Sequence, residues 1–491
     1  MPEFSQSRRQ LLQLLSTDEI EAMHNDSLAV LERTGVNVKN NEALRLLKDS
    51  GCEVDLAKRI ARIPQHIVKD CLRKPPSIIR LYGRDGKHEQ IVGGNNTIFN
   101  PGSSAVYFND HKTGEIRQPL SQDLVDLVRL VDALKCIQAQ STAMLPSEVP
   151  EAIGDIYRLY LVLKNSTKGM ITGAFTKEGL IEMKRLLEIV AGGEDKLANK
   201  PVAIFDVCPS SPLMWSDTTC QNMIDCAKFN IPAEIIPAPQ MGATSPITLA
   251  GTLVQLNAEF LSGMVISQLI KPGAPIIYGG SPTTFDMKYL SSRLGSIESI
   301  MVACAAAQIA KYYKLPSHAY LGLSDSKMVD AQSGIETSFG VVLGTLAGVN
   351  VISGPGMLVF ENCQSLEKLV IDNEICAMAL RLVDGINANR DAFALEVISK
   401  VGPGGHYLAE KHTLKWLEKE HIMPSDLIDR LTLEAERKQG SKDIISKARE
   451  AVDKILKEHV PEPLQTDVEN DLRDALKDIM NRYKVKSLPI I

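Results

Sequence analysis

The sequence predicts an α/β protein built on a (β/α)8 barrel, or TIM barrel, with an N-terminal helical and short-strand extension and a C-terminal helical region. Three observations lead to this fold class. Short β-rich runs recur along the chain, a longer helical stretch follows each of them, and several runs end in small, turn-prone residues. Strands that alternate with helices imply a parallel sheet, and eight such units imply a closed barrel.

The N-terminal extension is predicted over residues 1–95. Amphipathic runs at 17–31 and 41–47 predict two helices that are separated by Gly35. From residue 78 to residue 107, short β-like runs at 78–82 and 104–108 alternate with turns rich in Gly and Asn.

The barrel is predicted over residues 96–390 and the helical region over residues 391–491. The eight expected strands are 97–99, 136–139, 169–172, 202–205, 233–236, 275–278, 318–321 and 350–352. The helices between them include 120–134, 153–163, 176–190, 248–269, 297–313 and 337–346. Charged helices follow at 408–419, 424–438, 442–458 and 464–483. Their alternating charges are typical of a solvated face that packs on the barrel or on another subunit, so a homo-oligomer is expected.

Composition excludes several classes of protein. The chain has 491 residues and a net charge of −6, without the basic stripe that nucleic-acid binders show. No uncharged apolar stretch of about 18 residues predicts a membrane span, and the polar N-terminus does not resemble a secretory signal. The nine cysteines contain no CxxC pair. We therefore expect reduced thiols and a cytoplasmic location.

Motifs for common cofactors are absent from the sequence. It has no P-loop, no GxGxxG between a strand and a helix, no GxSxG elbow and no HExxH pair. The sequence therefore predicts no metal site and gives no support for a nucleotide cofactor.

Acidic and aromatic residues stand near the predicted carboxyl ends of the strands, where barrel enzymes hold their active sites. Asp206 and Glu234 interrupt strands that should be apolar, so each is a candidate catalytic residue or a salt-bridged interior group. Aromatic rings near strand ends would hold a cationic ligand by cation–π attraction, or would simply pack under loops. These rings belong to Phe99, Phe205, Trp215, Tyr278, Tyr320 and Phe360.

Several motifs resemble the trimethylamine methyltransferase family, in the order and spacing of that family. They are DAQSGIE at 330–336, LAGVN at 346–350, GPGML at 354–358, KLVIDNE at 368–374, and VGPGGHYL at 401–408 followed by His412-Thr413. The resemblance extends over roughly residues 15–480.

Founding members of that family carry pyrrolysine in the barrel, whereas residues 356–363 of this chain, the corresponding stretch, are all standard amino acids. The sequence is therefore similar to the non-pyrrolysine branch. That branch demethylates quaternary amines such as glycine betaine, proline betaine, carnitine and γ-butyrobetaine, and passes the methyl group to the cobalt of a separate corrinoid protein. The resemblance implies no tightly bound cofactor, because the partner supplies the corrinoid.

Chemistry favours the same branch, because a quaternary nitrogen leaves as a neutral tertiary amine and needs no general acid. Positioning for in-line attack can lower the barrier by about 7–11 kcal/mol. Arg293 and Gln332 are candidates to bind the carboxylate of a betaine, and Asn350, Gly354 and His406 are candidates to face the corrinoid partner. Three alternatives stay open: trimethylamine as the substrate, a barrel lyase that uses Asp206 and Glu234 as acid and base, and a betaine-binding protein without turnover.

Overall fold

A computed structural model describes residues 12–102, 104–423, 425–440 and 442–490. Its strands are β1 Val36–Val38, β2 Glu53–Asp55, β3 Ile60–Arg62, β4 Ile78–Tyr82, β5 Glu89–Gly93, β6 Ile98–Asn100, β7 Tyr107–Asn109, β8 Ile116–Arg117, β9 Gln140–Ser141, β10 Met170–Thr172, β11 Ala203–Val207, β12 Met214–Trp215, β13 Ala233–Ile235, β14 Gln240–Met241, β15 Ile276–Tyr278, β16 Thr283–Asp286, β17 Ser291–Arg293, β18 His318–Tyr320, β19 Val351–Ser353, β20 Met357–Leu358 and β21 Cys363–Ser365.

The α-helices follow the same chain order. They are α1 Thr17–Arg33, α2 Asn41–Asp49, α3 Gln65–Cys71, α4 Ser121–Ala133, α5 Gly154–Asn165, α6 Gly179–Ala191, α7 Glu194–Asn199, α8 Asp217–Phe229, α9 Leu249–Ile270, α10 Ile297–Tyr312, α11 Ala331–Ala347, α12 Leu366–Asp384, α13 Leu395–Val401, α14 Lys411–Glu420, α15 Leu433–Gln439, α16 Ile444–Glu458 and α17 Thr466–Arg482. A short 3-10 helix, Glu151–Ile153, precedes α5.

Eight parallel strands form the closed barrel, so the predicted (β/α)8 fold is confirmed. Their order is β9-β10-β11-β13-β15 in one sheet and β18-β19-β6 in the other. A parallel bridge between Tyr278 and Ser317 joins β15 to β18. The barrel closes where the amide of Ala139 donates to the carbonyl of Phe99 at 3.1 Å.

Two predicted elements differ in their bounds. The strand expected at 136–139 lies at β9 instead. Within that segment Lys168 Nζ donates to the carbonyl of Ile137 at 2.7 Å, so this acceptor is not available for strand pairing, and it also donates to the carbonyls of Val131 and Leu134 before the segment. The helix expected at 337–346 begins earlier, at α11, because the Asp330 side chain caps it by accepting from the amide of Ser333.

The C-terminal region also departs from its prediction over residues 425–432, which are not helical. There the Ser425 hydroxyl accepts from the amide of Leu427 at 3.3 Å, and Asp429 Oδ1 accepts from the amide of Leu431 at 2.8 Å. Such local side-chain bonds to the backbone compete with helix formation. The residue at which the predicted helix starts, Pro424, lies outside the described residues.

The interior of the barrel is apolar at the amino ends of its strands and polar toward the carboxyl ends. The apolar layer consists of Ile98, Ala139, Ile171, Ile204, Ile277 and Val351. The antiparallel hairpin β4–β5 covers it with Ile79, Leu81 and Val92. Because this hairpin fills the amino end of the barrel, access to the interior is from the carboxyl ends, which we call the mouth.

The terminal regions pack on the outside of the barrel. In the N-terminal extension, β1 pairs in parallel with β12, and α1 packs on α9. At the other end of the chain, α16 packs on α12, and α17 packs on α6 through a bidentate ion pair between Arg482 and Glu182. The first barrel strand and the last barrel helix, α12, both lie within the predicted limits 96–390.

Helix α9 is long and apolar enough to cross a membrane, and 72% of its most apolar window is buried inside the protein. Its single acidic residue, Glu259, accepts from the hydroxyl of Ser211 at 2.7 Å and from the amide of Leu213 at 2.9 Å. These contacts are those of a core helix that holds the loop after β11.

Candidate active site

Asp206 and Glu234 point into the barrel from neighbouring strands. They are register partners in the parallel pairing of β11 with β13. Glu234 is completely buried, whereas Asp206 is half-buried. Burial and the nearby carboxyl of Asp206 raise the pKa of Glu234 well above its usual range, and burial raises the pKa of Asp206 as well. The structure therefore brings the two predicted acids together, and their catalytic role stays a prediction.

A chain of polar side chains crosses the barrel behind this pair. His318 Nδ1 lies 3.5 Å from Glu234 Oε2, and His318 Nε2 lies 2.6 Å from the hydroxyl of Ser353, which donates to Asn100. Burial lowers the pKa of His318 to about 3, so the imidazole is neutral. Because the Ser353 hydroxyl donates onward, Nε2 carries the imidazole proton and Nδ1 faces Glu234 as an acceptor.

A third acid, Glu361, enters the mouth from the loop between β20 and β21. Burial and the neighbouring Asp206 raise its pKa to about 8. Val359, Phe360 and Glu361 are consecutive residues with φ of 53°, 55° and 70°. Left-handed backbone costs roughly 1–2 kcal/mol for each residue with a side chain.

Asn362 stabilises this left-handed turn, because its Nδ2 donates to the carbonyls of Val359 and Phe360 at 3.0 and 3.1 Å. The amide of Val359 donates to the carbonyl of Ser326 at 2.9 Å, which ties the turn to the loop after β18. Backbone strain of this kind is found at functional sites, and here it places Glu361 beside Asp206.

The mouth is a recess that solvent can enter. Its members are Asp206, Cys208, Tyr320, Phe360 and Glu361, and we call this set the mouth cluster. Cys208 is exposed, although many protein atoms surround it and raise its pKa. The Tyr320 hydroxyl donates to Asp206 Oδ2 at 3.4 Å, and burial together with the three neighbouring acids raises the pKa of Tyr320. The recess is therefore acidic and aromatic, as a cation-binding site requires.

Three groups at this site have no role in the predictions from the sequence. His318 was not a predicted site residue, because it begins its strand and a residue there is expected at the amino end of the barrel. Glu361 stands near a predicted strand end, but no role was predicted for it. The third is Arg158, a buried arginine of α5 whose guanidinium reaches the strand ends. The signal for Arg158 is a charge within a helical run that is buried on every side.

Four predicted ligand-binding aromatics lie elsewhere, and those predictions are corrected. Phe99, Phe205 and Tyr278 alternate with the inward residues of their strands, so they point outward against the helices. For example, the ring centroid of Tyr278 lies 4.2 Å from that of Phe260 on α9, with the two rings tilted by 36°. Trp215 is fully buried in the core, where its indole nitrogen donates to Ser262 of α9 at 2.9 Å.

Two further candidates lie on the rim of the mouth. Arg293 is about half exposed and forms an ion pair with Asp286 within the β16–β17 hairpin, so it is not available for a ligand in the recess. Gln332 is exposed in the first turn of α11, where its amide donates to Glu336 Oε1 at 2.9 Å. The ring of Phe360 does lie at the recess, and one face carries the ammonium of Lys327 at 4.0 Å.

The residues expected to face a corrinoid partner are also dispersed. Asn350 precedes β19 at the closed end of the barrel, where its Nδ2 donates to the carbonyl of Asn96 at 2.7 Å. Gly354 follows β19 at the mouth but is buried, with a positive φ of 119°. His406 is exposed just before α14, which is attached through Arg381 at the carboxyl end of α12, the end opposite the mouth. These positions give the partner-facing predictions no support.

Within the described ranges, no group of three or more His, Cys, Asp and Glu side chains is arranged to hold a metal ion. The recess itself offers carboxyl groups, a phenol and an aromatic ring, and the buried guanidinium of Arg158 lies near Asp206.

Comparisons with known proteins agree with this geometry. The family model for trimethylamine methyltransferase (MTTB) matches residues 3–484. A trimethylamine methyltransferase MttB of Desulfitobacterium hafniense is 33% identical over 470 residues, covering 96% of this chain and 94% of that protein. A glycine betaine methyltransferase of the same species is 31% identical, covering 94% and 95%. The crystal structure of the Methanosarcina barkeri monomethylamine methyltransferase (MtmB) matches with a TM-score of 0.54 and 12% identity over 93% of this chain and 89% of that one, which shows a shared fold.

Proposed function

The chain belongs to the trimethylamine methyltransferase family, and from this premise we propose that it transfers a methyl group from a small quaternary amine, of the glycine betaine or proline betaine type, to the Co(I) of a separate corrinoid protein. Carnitine, γ-butyrobetaine and trimethylamine are alternative methyl donors for the same route. Membership of the family makes the chain a methyltransferase, and the proposal concerns its donor and its acceptor.

The observation that carries the proposal is the composition of the recess. The carboxyls of Asp206 and Glu361 are partly exposed at the mouth, and the buried side chain of Tyr320 adjoins them, with its hydroxyl donating to Asp206 Oδ2 at 3.4 Å. A permanently charged quaternary ammonium cannot donate a hydrogen bond, so rings and carboxylates are the groups that can hold it. Each ring contributes about 0.5–2 kcal/mol by cation–π attraction.

Methyl transfer from a quaternary amine needs positioning more than acid or base chemistry. The C–N bond breaks with its electron pair going to nitrogen, a neutral tertiary amine leaves, and the new bond to carbon forms with the electron pair of Co(I). The part of this chain is to orient the N–CH3 bond toward the mouth and to exclude water. Because the β4–β5 hairpin fills the other end, the methyl acceptor approaches through the mouth.

Three further proposals accompany this function. The acceptor is a protein partner, and the corrinoid belongs to it. The chain works in the cytoplasm, which the nine free cysteines support, since reduced thiols persist there. It also forms a homo-oligomer.

The Asp206–Glu234 pair favours a second candidate, acid–base chemistry of the lyase type. Burial raises the pKa of both neighbouring carboxyls and so favours their protonated forms, and such a pair can exchange a proton with a substrate. Membership of a methyltransferase family argues for the first candidate, in which the same pair supplies negative charge for a cation. Consumption of a quaternary amine in the absence of any methyl acceptor would support the lyase.

The test uses the purified full chain with free cob(I)alamin as the methyl acceptor. Glycine betaine, proline betaine, carnitine, γ-butyrobetaine and trimethylamine are supplied in turn, and methylcobalamin is followed by absorbance. We expect methylcobalamin with at least one betaine. Asp206→Asn should slow the reaction, whereas Asp478→Asn, an exposed acid on α17, serves as the matched control.

Two results would contradict the proposal. A signal with trimethylamine alone would show that the donor is not a quaternary amine. A complete absence of methylcobalamin with every donor, repeated with a corrinoid protein in place of free cob(I)alamin, would show that cobalt is not the acceptor.

A further inference from the structure

Arg158 lies in the second turn of α5 and extends to the strand ends beside the mouth. Its side chain is fully buried. Nη1 donates to the carbonyl of Thr142, just after β9, at 2.6 Å and lies 3.5 Å from the hydroxyl of Ser104. The ring of Phe175, which follows β10, lies over the guanidinium with its centroid 4.7 Å from Cζ. The guanidinium plane is thus fixed by one hydrogen bond and one stacked ring.

The other edge of the guanidinium has no protein partner among the described residues. Nε and Nη2 are both buried and make no hydrogen bond. The nearest acid along the helix, Asp155, uses its carboxylate to accept from the amides of Phe175 at 2.9 Å and Ile156 at 2.8 Å. Leaving a buried charged donor unsatisfied is costly, so native proteins seldom keep one without a reason.

The unused edge has the shape that a carboxylate requires. Nε and Nη2 present two N–H groups side by side in the guanidinium plane, which is the fork that binds both oxygens of a carboxylate. Burial lowers the pKa of Arg158 only to about 10, so the fork remains charged at neutral pH.

A cationic group and acidic groups stand near one another at the mouth, as recognition of a betaine requires. Arg158 lies near enough to Asp206 for the two charges to influence one another, yet the described residues show no ion pair between them. Asp206 and Glu361 supply carboxyls whose ionised forms a bound cation favours. A molecule that carries a carboxylate next to a quaternary nitrogen matches this arrangement, whereas trimethylamine or its cation leaves the fork empty.

We infer that Arg158 binds the carboxylate of the methyl donor and makes the site selective for zwitterionic quaternary amines. This inference rests on the proposed function and assigns its carboxylate-binding residue. It replaces Arg293, whose guanidinium is already paired with Asp286 on the rim.

The experiment measures binding by titration calorimetry for three ligands: glycine betaine, its methyl ester and tetramethylammonium. The last two lack a free carboxylate. In the unchanged protein, glycine betaine should bind more tightly than its ester. In Arg158→Gln the Kd for glycine betaine should rise by about 30-fold or more, as is usual when one member of a buried charge pair is removed.

Binding of tetramethylammonium separates this role from a structural one. Removing a positive charge beside a cation site should leave tetramethylammonium binding unchanged or tighter. If Arg158 had only a structural role, Arg158→Gln would weaken the binding of all three ligands together, and that result would overturn the inference. Arg158→Lys keeps the charge without the fork, so it should weaken the binding of glycine betaine alone. This variant provides the same comparison if Arg158→Gln does not fold. Arg185→Gln, an exposed arginine of α6, is the matched control.

Different results would refute the proposed methyl donor and the proposed role of Arg158. If the unchanged protein binds no glycine betaine and makes methylcobalamin only from trimethylamine, the proposed donor is wrong. If the unchanged protein binds and demethylates glycine betaine, but Arg158→Gln weakens the binding of all three ligands equally, the proposed donor is supported and the assignment of Arg158 is wrong.

Discussion

Asp206 and Glu234 stand opposite one another on adjacent parallel strands, and both carboxyls face the interior of the barrel. Burial raises the pKa of each, and the proximity of Asp206 raises that of Glu234 further. Burial thus favours the protonated forms of the pair, and a cation that enters the recess favours the ionised forms. The charge of the mouth consequently depends on what is bound there.

Affinity for a quaternary cation should rise with pH. Glu361 has a pKa near 8 in the free protein, and a bound cation favours its ionised form, so binding releases a proton below that pH. The Kd of tetramethylammonium should fall as pH rises from 6 to 8, by at most about tenfold per pH unit for one ionisation, and then level off. Calorimetry in buffers of different ionisation enthalpy would detect the released proton. Glu361→Gln should flatten the pH dependence of the Kd, and Asp206 and Glu234 should leave a residual slope. A pH dependence that this substitution leaves unchanged would contradict the assignment of the released proton to Glu361.

Truncation of the two tyrosines near the strand ends should affect two different properties, ligand affinity for Tyr320 and protein stability for Tyr278. Tyr320 faces the recess, so Tyr320→Ala should weaken tetramethylammonium binding by about 2- to 30-fold, the value of one cation–π contact. Tyr278 packs in the core, so Tyr278→Ala should instead lower the free energy of unfolding by about 3–5 kcal/mol. Urea denaturation and calorimetry measure the two effects. Tyr320→Phe keeps the ring and should therefore retain most of the affinity for tetramethylammonium. If Tyr278→Ala lost more ligand affinity than Tyr320→Ala, the placement of Tyr320 at the recess and of Tyr278 in the core would be refuted.

The buried pair Lys368 and Asp372 should be important for stability. Lys368 Nζ donates to Asp372 Oδ2 at 2.5 Å and to the hydroxyl of Thr337 at 2.8 Å, and Asp372 Oδ2 also accepts from the amide of Gly356. Lys368→Met leaves the Asp372 carboxylate buried without its counter-ion, which should cost about 3–5 kcal/mol in the free energy of unfolding. The double variant Lys368→Met with Asp372→Leu should recover part of that loss. A double variant no more stable than the single one would show that the pair itself is not the cause.

Cys208 provides a probe of ligand occupancy. Of the nine cysteines, it is the one whose side chain is exposed, and its pKa is raised by burial within the recess and by the neighbouring acids. A maleimide should therefore react slowly at pH 7 and faster at higher pH, because the thiolate is the reactive form. Tetramethylammonium should slow the labelling, and Cys208→Ser should abolish it in the folded protein. Labelling that a saturating ligand leaves unchanged would place the cation site elsewhere.

The sequence predicted the barrel well because its signals are local. Each βα unit shows its own switch from a short apolar run to a longer helical pattern, so the eight strands could be placed to within a few residues. At the main error, 136–139, Lys168 from about thirty residues later takes the carbonyl of Ile137. No local pattern contains that information.

The site was predicted only in part, for a related reason. Asp206 and Glu234 were found because a charge in a buried strand is unusual in any context. Arg158 was missed because it lies on a helix, and Glu361 because its loop depends on a left-handed turn that Asn362 and Ser326 stabilise from outside. Both side chains reach the mouth through contacts that are distant in sequence.

By itself, the sequence determined the fold class, the family resemblance and the end of the barrel where the chemistry lies. Only the tertiary structure decided which side chains face the recess. Phe205 and Asp206 are neighbours near one strand end, yet the first points to the helices and the second to the interior. Side chains alternate along a strand, and the closure of the barrel determines which of the two alternating faces becomes the inside.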